Sequence, residues 1–167
     1  MFREMRRKRQ ALSLPDCERI LREGSAGVLA LSGDDGYPYA VPISYVYDGE
    51  RLYFHSAKSG HKLDAVSRSS KASFCVIGRD EVVPAGYTTY FQSVIVFGTI
   101  RIIEEEPEKR AAIEKLAQKY APDDREEERE KAILREWPFF CMLEMTIQHM
   151  SGKEAIELLR QRPGKEL

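Results

Sequence analysis

Eight consecutive residues concentrate the chemistry of this 167-residue chain. His55-Ser56-Ala57-Lys58-Ser59-Gly60-His61-Lys62 carries two histidines, two serines, two lysines and a glycine. The apolar run Leu52-Tyr53-Phe54 stops in front of it, and Leu63-Asp64-Ala65-Val66 follows as a short helix. Such a strand-to-helix junction suits an anion, because the first amides of a helix lack intrahelical partners and carry a partial positive charge. Ser56 and Ser59 offer hydroxyls, Gly60 lets an anion approach the backbone, and Lys62 supplies a full charge, so the stretch reads as a phosphate site. It reads also as a plain turn, with Ser59 as N-cap and Lys62 in solvent. His55 is the candidate for proton chemistry, since an imidazole titrates near neutrality. A hydrogen-bonded structural histidine is the other reading. His55, His61 and His149 do not make a metal set: the spacing of His55 and His61 shares no helix face, and no carboxylate motif accompanies them.

Whatever holds this junction is a protein of ordinary composition. Hydrophobic residues make up 43% and charged residues 32%, as in a soluble globular protein. The length fits one domain over residues 1–167, large enough to bury a core. A basic arm, MFREMRRKRQ, covers about residues 1–12, and a C-terminal tail covers about residues 152–167. The net charge of −1 gives no general pull toward nucleic acid or membrane. The arm lacks the aromatic interleaving of a nucleic-acid site and the apolar segment of a secretory signal. No apolar run approaches the roughly 20 residues of a membrane span. Cys17, Cys75 and Cys141 are far apart with no CxxC, which predicts reduced thiols in a cytoplasmic protein.

The elements around the junction are mostly strands. Ser13-Leu14-Pro15-Asp16 opens a helix with Ser13 as N-cap, Ile20 and Leu21 facing the core, and Gly24 at its end. Residues 27–31 form a short apolar strand, and GDDGYP is turn chemistry. Tyr37, Tyr39, Val41, Ile43, Tyr45 and Tyr47 fall on alternate positions, which predicts a strand with these residues on one face. Asp48-Gly49 turns it into an antiparallel return over residues 51–56. Further strands are predicted over 71–77, 90–103 and 139–149, the first two joined by the loop VVPAGY. Pro107 begins a helix with Ala112, Ile113, Leu116, Ala117 and Tyr120 at helical spacing. DDREEEREKAILREW reads as a second helix with a solvated charged face, and SGKEAIELLRQR as a short last one. There is no regular β-α-β alternation and no GxGxxG, which disfavours a dinucleotide-binding fold. The expected fold is mainly β (α+β): a six-stranded antiparallel Greek-key split β-barrel with peripheral helices.

Taken in order, Gly-Tyr-Pro, Val-Pro, Tyr-Phe-His-Ser-Ala and Gly-His-Lys within GDDGYPYAVPISYVYDGERLYFHSAKSGHKLDAV, followed by SVIVFG, resemble a known family. It is the FMN-binding split-barrel superfamily related to pyridoxamine 5'-phosphate oxidase, closest to its nitroimidazole-resistance (Nim-type) flavoproteins. The resemblance runs over roughly residues 6–153. It implies an FMN-binding homodimer. The cofactor phosphate would lie where Ser56, Lys62 and the amides near Gly60 and His61 converge. The flavin ring would lie along Val41-Pro42-Ile43-Ser44, with Phe54 and His55 beside the ring or ribityl chain. Ser93 and Val94 match the position from which the superfamily reaches the partner subunit's flavin. Pyridoxamine-phosphate oxidases carry Gln-Val there, so Ser93 has the shorter reach. Those enzymes also end in a Trp- and Arg-containing segment, whereas this sequence ends LLRQRPGKEL with its one tryptophan, Trp137, far upstream. The resemblance therefore implies an FMN-dependent oxidoreductase other than a true pyridoxamine-phosphate oxidase, acting on a small acceptor such as a nitroaromatic or quinone, with His55 as its catalytic residue. A flavin-binding carrier, sensor or store without turnover is the alternative.

Overall fold

The structure, a computed structural model, describes residues 2–161. Six strands form one closed antiparallel barrel: β1 (Ala26–Ser32), β2 (Pro38–Tyr47), β3 (Arg51–Ala57), β4 (Lys71–Val83), β5 (Thr88–Ile102) and β6 (Phe140–Glu154). Around the barrel the order is β1-β2-β3-β6-β5-β4, so β4 returns beside β1 after the β1–β3 meander, which is a Greek key. Five helices complete the fold: α1 (Leu14–Glu23), α2 (His61–Arg68), α3 (Glu106–Tyr120), α4 (Glu126–Glu136) and α5 (Ile156–Gln161). None is long and apolar enough to cross a membrane.

Alternation along the strands builds the core. Leu29, Tyr45, Leu52, Phe54, Phe74, Val76, Val94, Val96, Leu143 and Met145 point inward and are fully buried. Tyr39, Val41 and Ile43 pack against them, so the alternating tyrosines of β2 are core residues. Tyr37 precedes β2 and is exposed, outside the predicted face. Helix α1 closes one end of the barrel with Cys17, Ile20 and Leu21. Ser13 caps it as expected, its Oγ accepting the Asp16 N–H at 3.3 Å, and the Tyr45 hydroxyl donates to the Leu21 carbonyl at 2.8 Å. Helix α2 contributes Leu63, Ala65 and Val66 to the same core.

Several boundaries differ from those expected. VVPAGY is a loop over Pro84–Gly86 and the left-handed Tyr87 (φ 47°), but its two valines belong to β4, which runs on to Val83. Strand β6 runs past residue 149 to Glu154, because its pairing with β5 continues to Gln92↔Glu154. The predicted tail therefore begins inside a strand; residues 162–167 of it lie outside the described residues. The basic arm is fastened to the barrel at Phe2 and at Gln10–Leu12, while its arginines and Lys8 stay exposed. Leu12 N–H donates to Gly152 C=O at 3.0 Å, the buried Gln10 amide donates to Glu154 C=O at 3.0 Å, and Phe2 stacks on His149. The cysteines are free thiols.

Helices α3 and α4 lie outside the barrel over β2, β3 and β6. Their own apolar cluster joins Ile103, Ala112, Ile113 and Ile133 to Val46, Tyr53, Phe140 and Met142. Tyr120, the last residue of α3, fastens them where β1 leaves β2. Its hydroxyl accepts the Tyr45 N–H at 3.0 Å and lies within hydrogen-bond reach of the Tyr45 and Ser25 carbonyls. Tyr120→Phe removes that partner from a backbone amide; it is expected to cost about 1–2 kcal/mol of stability, measured by urea unfolding. Unchanged stability would mean that water replaces the hydroxyl there.

Candidate functional site

The junction singled out in the sequence sits beside a break in the sheet. Strands β2 and β3 share only three rungs, Tyr45↔Phe54, Val46↔Tyr53 and Tyr47↔Leu52. Beyond them β2 pairs with β1 alone and β3 with β6 alone. Residues 38–44 and 55–57 thus face one another across an open seam, with no ladder between them. Proline marks its rim. Pro42 lies opposite Val28 of β1 and has no N–H to give, so its nitrogen side must point away from that ladder, toward the seam. Backbone groups along such an edge need water or a ligand as partner.

Ten of the twelve predicted residues lie around the seam, and Ser93 and Val94 do not. Val41 and Ile43 point into the barrel, while Pro42 and Ser44 face out. Phe54 is fully buried in the core, so it offers the seam its main chain only. His55 faces out, its ring tilted against Phe140 at 5.0 Å. Ser56 points inward, only 6% exposed, and accepts a hydrogen bond from Lys62 Nζ at 3.2 Å. Gly60, not Ser59, is the N-cap of α2, at φ 118°, a conformation that favours glycine. It brings no side chain to the first helical amides, and a Cβ there would meet nothing within 4 Å, so the space in front of them is open. The His61 ring turns away from Lys62. It stacks on Tyr39 at 4.0 Å and lies 3.4 Å from Asp34, which also holds Arg68. Only the His61 amide is left for the junction. Val94 is buried inside the barrel on β5, and Ser93 faces out between Ile77 and Lys153. Because β5 neighbours neither β2 nor β3, these two residues are not brought to the seam of their own chain.

Two cations belong to the site besides Lys62. Burial pushes the Cys141 thiol up, and the charges of Lys62, Lys109 and Lys58 pull it partly back, so all three lysines surround this residue. Burial also holds the Lys62 and Lys109 ammonium groups below their usual range, with Lys58 acting on Lys109 as well. Lys109 lies over the Trp137 and Phe140 rings, 4.0 and 4.2 Å from their centroids, and donates to Trp137 C=O at 3.0 Å. No ion pair among the described residues neutralises these lysines. Lys58 stood within the stretch read from sequence, unassigned. Lys109 arrives from α3, and no local pattern could have announced it. Between the seam and the α3–α4 layer lies a cavity of about 370 Å³, with Ser44, His55 and Phe140 in its barrel-side wall.

A Greek-key barrel split along one seam, with a basic strand-to-helix junction at the opening, defines a class of small split-barrel proteins. The family model described as pyridoxamine 5'-phosphate oxidase matches residues 13–154, and the chain belongs to that family. An uncharacterized protein of Rhizobium meliloti (strain 1021) is 30% identical over 89 residues, a match covering 53% of this chain and about half, 54%, of that relative. Among solved structures, a candidate 5-nitroimidazole antibiotic resistance protein from Bacteroides thetaiotaomicron VPI-5482 aligns over 86% of each chain, with TM-score 0.73 and 21% identity. A FAD-binding protein from Mesorhizobium loti aligns over 87% of this chain and 96% of its own, with TM-score 0.62 and 21% identity. At these identities the likeness shows the fold.

The electrostatics of His55 can be tested directly. Burial lowers its pKa from 6.5, Lys62 and Lys109 lower it further, and Glu136 opposes them. The unfolded chain therefore takes up this proton first as pH falls, and the contribution of neutral His55 to stability is lost below the ordinary histidine range. In an NMR titration the His55 midpoint is expected below 6.5 and should rise in Lys62→Met. A midpoint unmoved by that substitution would remove Lys62 from the electrostatics of His55.

Proposed function

We propose that this protein binds FMN in the β2–β3 seam and uses it as an oxidoreductase on a small acceptor. The observation that carries the reading is the open seam lying directly beside the Ser56–Lys62 pair. FMN needs a dianion clamp at one end and hydrogen-bond partners for the polar edge of its ring at the other. Ser56, Lys62, Lys58 and the uncapped amides at His61 and Lys62 suit the first need. The seam-side main-chain groups of Pro42 and Ser44, which β3 leaves without a ladder, suit the second. The family, and the FAD named for one structural relative, support a flavin cofactor, and the choice of FMN rests on the phosphate clamp alone.

Bound flavin would supply the electron-transfer chemistry. The chain's part is to fix the phosphate, present the β2 edge to the ring, and hold a neutral imidazole, His55, that gives or takes a proton beside it. In this reading the protein works as a homodimer. Val28, Cys75 and Ile95 lie in register across β1, β4 and β5 on the outer face, and Ile77 and Phe97 extend this partly exposed apolar row. Ser93 shares that face, which suits a residue reaching a second copy's seam.

Lys62→Ala is expected to weaken FMN by roughly ten- to a hundredfold, as for a lost charge-assisted phosphate contact, and to leave riboflavin nearly unchanged. Linkage adds a pH signature. Lys62 sits below its usual 10.5 in the free protein, and a bound dianion raises it, so FMN binding takes up protons and weakens as pH rises through the free lysine's titration. Equal losses for both ligands, measured by fluorescence titration, would reject the clamp. With FMN bound, His55→Asn is expected to slow acceptor reduction by roughly 10²-fold in steady-state assays; unchanged turnover would return His55 to a structural role. Light scattering of the FMN-loaded protein should give twice the chain mass, and a monomer with FMN retained would sink the dimer.

A further inference from the structure

We infer that the cavity roofed by α3 and α4 is a second ligand compartment, shaped for an uncharged aromatic ring system bearing a hydrogen-bond acceptor. The inference deepens the flavin reading above and rests on it, since it identifies where an acceptor would sit next to the seam. The cavity measures about 370 Å³ and shares only Ser44 and His55 with the residues expected to meet the flavin. Pro42, Ser56, Gly60 and Lys62 take no part in its wall. The phosphate anchor is therefore outside it.

Its chemistry argues against the flavin ring as occupant. The pyrimidine end of a flavin carries carbonyls, an N–H and ring nitrogens that need partners when buried. Ile113, Leu116 and Ala117 of α3, Ile133 of α4 and Phe140 of β6 cannot provide them. The Tyr120 hydroxyl, also in the wall, is already engaged with the backbone of Tyr45 and Ser25. The open β2 edge, by contrast, is a row of such partners. What the cavity does offer is flat apolar surface for one or two fused rings, an imidazole N–H from His55, and the Ser44 hydroxyl. Its volume falls within the usual range for small-molecule sites, about 300–1,000 Å³.

An anion entering this apolar cavity would lose water and find no lysine or arginine in the lining, while Glu136, exposed and paired with Arg135 at 2.8 Å, offers it nothing. The lysines nearby do not reverse this, because none of them lines the cavity. Lys109 is turned onto the far side of the wall, over the Trp137 and Phe140 rings. The ligand class is thus a neutral bicyclic aromatic carbonyl compound, not its carboxylate.

Trp137 provides the readout. It is the one tryptophan of the chain, and its ring stands edge-on to Phe140 at 5.6 Å, against the cavity wall. Coumarin, a neutral bicyclic lactone, is titrated into full-length protein with and without FMN, with calorimetry for affinity and Trp137 emission for location. Coumarin is expected to bind saturably and quench Trp137, and coumarin-3-carboxylate at least about tenfold more weakly. Ala117→Leu on α3, and independently Ala132→Leu on α4, should fill the space and weaken coumarin about tenfold or more while FMN affinity stays the same. Absence of saturable coumarin binding at millimolar concentration overturns the inference. So does parallel loss of FMN and coumarin in both leucine variants, which would make the cavity the flavin's own. Failure of the wild-type protein to bind FMN in the same calorimeter would instead overturn the flavin reading, and leaves the coumarin result to decide the cavity separately.

Discussion

The three-rung ladder between β2 and β3 is the constraint on which the rest of the molecule turns. A fully paired barrel has no free main-chain groups to offer a ligand, and a fully open one has an exposed edge that invites aggregation. Here the closure is kept at Tyr45, Val46 and Tyr47 and given up beyond them. The kept rungs are anchored on their other flank: where the β1 ladder ends, Tyr120 takes over the backbone amide of Tyr45, and Tyr45 itself is fixed through its hydroxyl to the end of α1. On the other side β3 is held by seven rungs to β6, so it does not drift as it leaves β2. The seam is thus a gap between two strands that are each rigidly paired on their outer flank.

Charge is distributed with the same economy. Asp34 takes up Arg68 and lies against the His61 ring, drawing both side chains away from the junction. Lys58, Lys62 and Lys109 are left without carboxylate partners around Cys141 and His55. Burying ammonium groups without counter-charge is unfavourable, and the downward shifts of Lys62 and Lys109 are its signature. In the proposed reading a bound phosphate would give Lys62 and Lys58 the partner that the protein withholds, whereas Lys109 stays on the Trp137 and Phe140 rings.

Much of the fold was legible because it rests on local rules. Alternation announced β2, Asp48-Gly49 announced its hairpin, and Ser13 announced the start of α1, where it accepts the Asp16 amide. Ser59 misled because serine is the commoner N-cap, whereas this turn needed the positive φ that Gly60 supplies. Proline and glycine marked the VVPAGY turn, but its flanking strands were expected too short, because the β4–β5 ladder carries strand up to the turn on both sides. The arm's docking depended on Gly152 and Glu154, far along the chain. Lys109 and the α3–α4 cavity were illegible for the same reason: both exist only once helices from one region are laid over strands from another.

One signal was present in the sequence and carried more than was taken from it. Pro38 and Pro42 stand four residues apart in a strand whose alternation is otherwise strong. A strand interior excludes proline unless its nitrogen side is unpaired. Both lie opposite β1 residues, Ser32 and Val28, and with the same parity both direct that side to where β3 would otherwise sit. Continued in the register of Tyr45↔Phe54, the ladder would bring Pro42 opposite Ala57, the last residue of β3, where it has no donor to give. The Val-Pro pair is thus, physically, a break in any β2–β3 ladder carried that far.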